Sequence, residues 1–207
     1  MADFIKIHPE TPHERQIFRV TDILQNKNGI AIYPTDSVYG LGCRISNKQG
    51  IERIAKIKGI KPKNAEFSFI FSDIDQIENY TKPLDKWIFR LLKKNLPGPF
   101  TFILPANKKI PKILETSRKT IGIRIPDNNI IREIVRVLQE PILNTSVHDE
   151  DEILEFTTDP ELIYDNYKNF VDVIINGGYG SNEPSTVVDL TTGEAEIIRQ
   201  GIGELFF

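Results

Sequence analysis

An apolar run from Gly29 to Tyr33 stops at Pro34, and the chain then reads Thr-Asp-Ser-Val-Tyr-Gly-Leu-Gly through Gly42. The run predicts a buried strand, because a proline ends the ladder and the flanking residues carry turn chemistry. The segment after it is a loop built at the carboxyl end of a strand, the place where open α/β sheets hold their ligands. Thr35, Ser37 and Tyr39 offer hydroxyls there and Asp36 a carboxylate. Gly40 and Gly42 let the backbone come close to a bound molecule. An ordinary polar loop has the same composition, so the rest of the chain must decide between the two.

The flanking sequence alternates strands and helices. Phe4 to Ile7 alternates as a short strand. Thr11-Pro12-His13-Glu14 has the pattern of a capping box with proline at the first helical position, and Ile17, Val20, Ile23 and Leu24 share one helix face up to Asn28-Gly29. Residues 49 to 58 predict a second helix, with Ile51, Ile54, Ala55 and Ile57 inward and a basic exit from Lys56 to Lys63. Phe67 to Phe71 is a strand, Trp87, Phe89, Leu91 and Leu92 lie in a helix, and Pro97-Gly98-Pro99 turns into the apolar strand Phe100 to Leu104. From Thr120 to Pro126 the alternation puts Thr120, Gly122 and Arg124 on one face and the isoleucines on the other. An arginine so placed holds an anion or pairs with a carboxylate. Asp127 is expected to cap a helix through Leu138, and Pro141 to Leu143 to be a strand ending in the loop Asn144-Thr145-Ser146. An acidic loop or lid at 149 to 155, a helix from Pro160 to Tyr167, a strand at Val171 to Ile175, the turn at Gly177 to Gly180, and strands at Ser185 to Leu190 and Ile197 to Arg199 complete the chain.

Hairpin-length connections interrupt the alternation, so the class is α/β, one domain over residues 1–207, with a twisted open sheet of mixed parallel and antiparallel strands and flanking helices. With 207 residues and 40% hydrophobic content a proper core is within reach. One cysteine, Cys43, excludes a disulfide framework and a thiolate metal cluster, and it reads as a packed residue. Histidines at 8, 13 and 148 make neither a zinc site nor a nucleophile triad, so no metal site is expected. No run of some 18 apolar residues and no basic, apolar leader is visible, which makes the expected location cytoplasmic, with no membrane partner.

The net charge of −3 hides an uneven distribution. Lys82, Lys86, Arg90, Lys93, Lys94, Lys108, Lys109, Lys112, Arg118, Lys119 and Arg124 stand against only Asp85 and Glu115 between Lys82 and Arg124. Such a concentration makes either an electropositive face suited to phosphates or RNA, or a solvated helix surface. No GxxxxGK[ST] loop or GxGxxG fingerprint is present. Lys58, Ser146, Ser185, Thr186, Arg124 and Arg199 instead suggest a ligand with several negative charges, held for phosphoryl or nucleotidyl transfer with Mg²⁺ bridging phosphates.

The segments Tyr33 to Cys43, Lys58-Gly59, Pro97 to Ile103, Thr120 to Pro126, Asn144-Thr145-Ser146, Pro184 to Asp189 and Ile198 to Gly201 occur in the order and spacing of the YrdC-like, or threonylcarbamoyl-AMP synthase, family. Together with Ile7-His8-Pro9 and Asn176-Gly177-Gly178-Tyr179, they resemble its YciO branch over nearly the whole chain. The resemblance implies a concave, basic groove that makes L-threonylcarbamoyladenylate and pyrophosphate from L-threonine, bicarbonate and Mg-ATP, for N6-threonylcarbamoyladenosine in tRNA. It assigns Thr35, Arg124, Asn144 and Ser185 to threonine, with Arg124 forked onto the carboxylate. Lys58, Lys61, Thr120, Ser146 and Arg199 fall to the nucleotide, with Lys58 and Ser146 as the catalytic pair.

The pattern also departs from the synthases. Their Lys-x-Arg and Ser-x-Asn pairs become Lys58-x-Ile60 and Ser146-x-His148, and a histidine near threonine becomes Ile70. Lys61 stands where it can replace the arginine across a one-residue insertion, without arginine's bidentate reach. Each lost transition-state donor costs about 10²- to 10³-fold in rate. The alternative is therefore a slow or non-catalytic member that binds nucleotide, tRNA or double-stranded RNA in the same groove.

Overall fold

The computed structural model describes residues 1–62, 67–111, 114, 119–147 and 157–207. Among these, ten strands form a single sheet: β1 (Asp3–Lys6), β2 (Ala31–Tyr33), β3 (Gly40–Arg44), β4 (Ser68–Ile70), β5 (Phe100–Pro105), β6 (Thr120–Arg124), β7 (Ile142–Ser146), β8 (Val173–Asn176), β9 (Thr186–Asp189) and β10 (Glu196–Arg199). Their spatial order is β1-β8-β2-β3-β7-β4-β6-β5-β9-β10. Strands β1, β8 and β2 run parallel, as do β4 with β6 and β5 with β9, while every other neighbouring pair is antiparallel. The sheet is mixed, as the hairpin-length connections required.

Among the described residues six helices accompany it: α1 (Glu14–Asn26), α2 (Lys48–Ile57), α3 (Ile74–Ile77), α4 (Lys86–Asn95), α5 (Asn129–Leu138) and α6 (Pro160–Tyr167). Side chains of directly paired residues share a sheet face. The row Ala31, Gly42, Asn144, Ser68, Gly122, Ile103 therefore crosses six strands on one side. On the opposite side stand Leu41, Cys43, Phe69, Phe102, Leu104, Ile121, Ile123, Leu143 and Val188, in one cluster with Ile51 and Ile54 of α2, Leu91 and Leu92 of α4 and Ile163 of α6. Among the described residues, helices cover the first face over only part of its width. Ala31, Tyr33, Ile70, Ile142, Val173 and Ile175 lie under Val20 and Leu24 of α1 and Ile130, Ile134 and Val135 of α5. Toward β5 and β6 the helical cover gives out, and Ser68, Thr101, Ile103, Thr120 and Gly122 are partly exposed.

Several local expectations change. The cap of α1 is His13, whose ring accepts the Arg15 N–H, so Thr11 does not cap it; the Thr11 hydroxyl instead meets the His8 ring at 3.2 Å. Asn128, not Asp127, caps α5, because its amide oxygen reaches the N–H groups of Ile130 and Ile131. The helix cap thus falls one residue further from the strand's exit, which leaves the Asp127 N–H to bond elsewhere. Gly40 to Gly42 and Asn144 to Ser146 are strand rather than the expected loop: β3 and β7 pair from Gly40↔Ser146 to Arg44↔Ile142. The acidic stretch 149 to 155, His148 and Lys63 lie outside the described residues.

Candidate functional site

Pro34 to Tyr39 is the loop of the β2–β3 hairpin, and it is buried rather than splayed. Thr35 Oγ1 donates to Val38 O at 2.7 Å and accepts the Ser37 N–H at 3.1 Å, an arrangement that closes the turn on itself. Opposite this turn β6 ends in Arg124, 4% exposed. Its Nη2 donates to Asp36 Oδ1 at 3.0 Å and to Ser37 Oγ at 2.9 Å. The other Asp36 oxygen accepts the Asp127 N–H at 2.8 Å. Asp36 thus clips the hairpin loop to the exit of β6. A buried cation needs this company, since burial disfavours its charged form and pushes the Arg124 guanidinium below its ordinary pKa while Asp36 pushes it back up. Arg199 adds a repulsive contribution, so the two guanidinium groups feel one another.

Asp36 and Ser37 engage only Nη2 of Arg124. Its Nε is buried and has no hydrogen-bond partner among the described residues. A buried donor without an acceptor is costly, and a ligand carboxylate supplies what it lacks.

A chain of polar groups runs from the covered part of the sheet face to its open part. Tyr33, 1% exposed, donates its hydroxyl to Asn144 Oδ1 at 2.9 Å, and Asn144 Nδ2 donates to Ser68 Oγ at 3.0 Å. Because Tyr33 engages the oxygen, the Asn144 amide shows its donors to Ser68. Burial pushes the Tyr33 hydroxyl well above its usual pKa, with Arg124 acting in the opposite direction, so it stays protonated as this donor. The two glycines of the hairpin house this chain of bonds. A Cβ at Gly40 would lie 2.4 Å from Asn144 Oδ1, and one at Gly42 would lie 2.4 Å from the Tyr33 hydroxyl and 2.2 Å from Leu143 O. Their bareness serves an internal tyrosine, where the sequence suggested the close approach of a ligand.

On β5, Thr101 Oγ1 meets Ser185 Oγ at 2.9 Å, and Arg199 Nη2 donates to Ser185 O at 3.0 Å. Lys58, the residue after α2, reaches Ser146 O with its ammonium at 3.3 Å, so the two expected catalytic residues do come together. Thr120 shares the face of Arg124, whereas Lys61 is exposed and takes part in none of these contacts. Ile70 is fully buried under α1 and α5. The hydrogen-bonding roles of Tyr33, Asp36, Ser68 and Thr101 escaped sequence reasoning. A faint signal existed for two of them, since Ser68 and Thr101 are lone polar residues in apolar, alternating strands.

The helix cations of the Lys82 to Arg124 stretch do not gather here. Lys86, Arg90, Lys93 and Lys94 are exposed on α4, whose Ile88, Leu91 and Leu92 enter the cluster on the opposite face of the sheet. Lys112 and Arg118 of that stretch lie outside the described residues. A surface cavity of about 610 Å³ bounded by Glu10, Ser72, Asp73, Asn129, Arg132 and Arg136 mixes both signs of charge and includes none of the site residues.

The family described as telomere recombination, Sua5/YciO/YrdC, matches residues 23–201. The chain is 41% identical over 207 residues to Escherichia coli YciO, covering 99% of this chain and 98% of that one. It is 30% identical over 169 residues to the threonylcarbamoyl-AMP synthase of Coxiella burnetii, covering 81% and 89%. The crystal structure of E. coli YciO superposes with a TM-score of 0.90 over 99% of this chain and 98% of the other. P. abyssi Sua5 in complex with L-threonine, 24% identical, shares the fold at a TM-score of 0.85, with 98% of this chain matching 61% of that longer one. By sequence match over most of its length and by fold, the chain belongs to the Sua5/YciO/YrdC family.

Proposed function

We propose that this protein binds L-threonine and Mg-ATP on the open part of the sheet and, with bicarbonate, forms L-threonylcarbamoyladenylate and pyrophosphate for N6-threonylcarbamoyladenosine modification of tRNA. The observation that carries this is the buried Arg124, bonded to Asp36 and Ser37 through Nη2 while its Nε has no partner among the described residues. The relative named as threonylcarbamoyl-AMP synthase and the Sua5 complex with L-threonine support the choice of amino acid. Arg124 takes the carboxylate, with Thr35, Asn144 and Ser185 around it. Lys58, Ser146, Thr120 and Arg199 take the nucleotide, with Lys61 at its margin, and Mg²⁺ arrives on the phosphates. Among the described residues no three His, Cys, Asp or Glu side chains gather to hold a metal ion. The amine of threonine attacks bicarbonate to give a carbamate with loss of water. The carbamate oxygen then attacks the α-phosphorus, and pyrophosphate leaves. The chain's part is to position the reactants and offset their charge.

A second reading, a slow or non-catalytic binder of nucleotide or structured RNA, draws on Ile60. It is 42% exposed where the synthases carry arginine, so that cation is missing beside Lys58.

Pyrophosphate release from Mg-ATP distinguishes the two. Release that requires both L-threonine and bicarbonate and vanishes in Lys58→Ala establishes the synthase. ATP or RNA binding without release establishes the binder. Arg124→Ala is expected to abolish L-threonine binding and spare ATP; equal loss of both in a folded protein overturns the division of roles.

A further inference from the structure

Every cation that α4 carries is exposed, and the helix contains no acid. Lys86, Arg90 and Lys93 fall within about 60° of arc on the side away from Ile88, Leu91 and Leu92, with the first two about 6 Å apart along the axis. Lys94, beyond them, meets the carbonyl oxygen of Phe207. More cations flank the start of the helix. The turn after β5 is clamped to the segment before α4, where Lys82 N donates to Pro105 O at 2.9 Å and Asn107 Nδ2 to Thr81 O at 3.1 Å. Lys82, Lys108 and Lys109 are exposed there. The acids of residues 78–94 and 105–109 are Glu78 and Asp85. On other helices a surface cation meets a carboxylate: Arg19 bonds Asp3, Arg53 bonds Asp172 and Arg136 bonds Glu133. Among the described residues none of the cations at 82, 86, 90, 93, 108 and 109 stands in an ion pair. In a chain of net charge −3 they make a local positive field that neither partners nor burial offset. The patch lies behind the candidate site, since Tyr80, Leu84, Trp87 and Ala106 pack with α4 on the cluster of the opposite sheet face.

We infer that this rear surface docks the phosphodiester backbone of a double-stranded nucleic acid, independently of the reaction proposed for the open face. A duplex presents one negative charge per about 1.7 Å of its axis, so a stripe about 10 Å long meets several phosphates at once. Five of the six cations are lysines, point charges that grip phosphate without the fork that reads a base edge. Binding is therefore set by charge and not by sequence. An anionic membrane fits less well, because a helix enters a bilayer surface through its apolar face, and Ile88, Leu91 and Leu92 are already buried in the core.

The test is fluorescence anisotropy of the full chain with a short labelled RNA duplex and with the DNA duplex of the same sequence, over a range of salt. Affinity for either supports the assignment, and a preference between them names the source of the backbone. The logarithm of the affinity should fall linearly with that of the salt concentration. Lys86→Gln, Arg90→Gln and Lys108→Gln combined should weaken binding by at least about tenfold and make that slope shallower by about 2 to 3, with ATP binding unchanged. Arg19→Gln with Arg136→Gln removes two paired cations from the other side of the sheet and should leave duplex affinity as it is. Duplex binding that survives the triple variant but is lost in Lys58→Ala puts the nucleic acid on the open face and overturns the inference. Binding to anionic phospholipid vesicles and to neither duplex overturns it in favour of a membrane, and no binding to duplex or vesicle at low salt overturns it outright.

Discussion

Ser68 and Ile70 stand two residues apart on one strand and point to the same face of the sheet, yet they live in different environments. Ile70 is fully buried beneath α1 and α5, while Ser68 is partly open to solvent and bonded to Asn144. The same boundary runs across the neighbouring strands, with Ile142 and Ala31 on the covered side and Gly122 and Thr101 on the open side. The candidate site is the part of a sheet face that its two helices leave bare. Arg124 sits on the border, buried enough to need Asp36 and close enough to the open side to meet a ligand.

The sharpest way to break that border is Asp36→Ala. It leaves the Arg124 cation buried without a carboxylate and takes the acceptor from the Asp127 N–H. Removing one partner of a buried pair typically costs about 3–5 kcal/mol, and urea denaturation should show a loss of that size. Adding Arg124→Ala to the same chain should recover part of it, since the unpaired charge is then gone. A cost below about 1 kcal/mol for Asp36→Ala would mean that solvent reaches the guanidinium and that Arg124 belongs wholly to the open side.

Next comes the pair that defines the comparison. Ile70→Ala should cost about 2–5 kcal/mol, because α1 and α5 cannot close fully over the lost atoms. Ser68→Ala should cost about 1 kcal/mol or less, since water can replace its bonds. Similar values for the two would show that the cover extends further toward β6 than their exposures indicate.

Much of the fold was legible because alternation and 3.6-residue periodicity are written into the strands and helices themselves. Thr120, Gly122 and Arg124 fall on one face as their spacing required, and α6 runs from Pro160 to Tyr167 as expected, with Asp159 as its cap. Helix caps were less legible, because Thr11 and His13, or Asp127 and Asn128, are equally able to accept and only the chain's path decides between them. The sequence offers a set of candidate residues but not the circuit of hydrogen bonds that joins them. Nothing local in Gly40 or Gly42 reveals that Tyr33 needs their space, since the contact is made across the hairpin and through Asn144 on a third strand. The lysines of α4 left two readings open for the reverse reason: closeness in sequence to Arg124 says nothing about which side of the sheet a helix takes.

Tyr33 joins the two sides, with its ring in the covered cluster and its hydroxyl on Asn144, so Tyr33→Phe is the mildest and most informative change. At neutral pH it should cost about 1 kcal/mol, one buried hydrogen bond, and leave the sheet intact. Its second effect appears in alkali. Burial holds the Tyr33 hydroxyl well above the ordinary value of 10.0, and likewise lifts Tyr39 to about 12 and the Cys43 thiol from 9.0 to about 12. A group whose pKa is raised by folding contributes stability that is complete below its unfolded value. That contribution is lost as pH climbs toward the folded one, because only the unfolded chain releases the proton. Stability should therefore decline from about pH 9 upward, and tyrosinate absorbance should show Tyr33 and Tyr39 ionising only as the chain unfolds. In Tyr33→Phe the decline should be shallower, because one late-ionising group is gone. An identical alkaline limb would mean that the hydroxyl of Tyr33 already meets solvent, and the border would then have to be redrawn on its covered side.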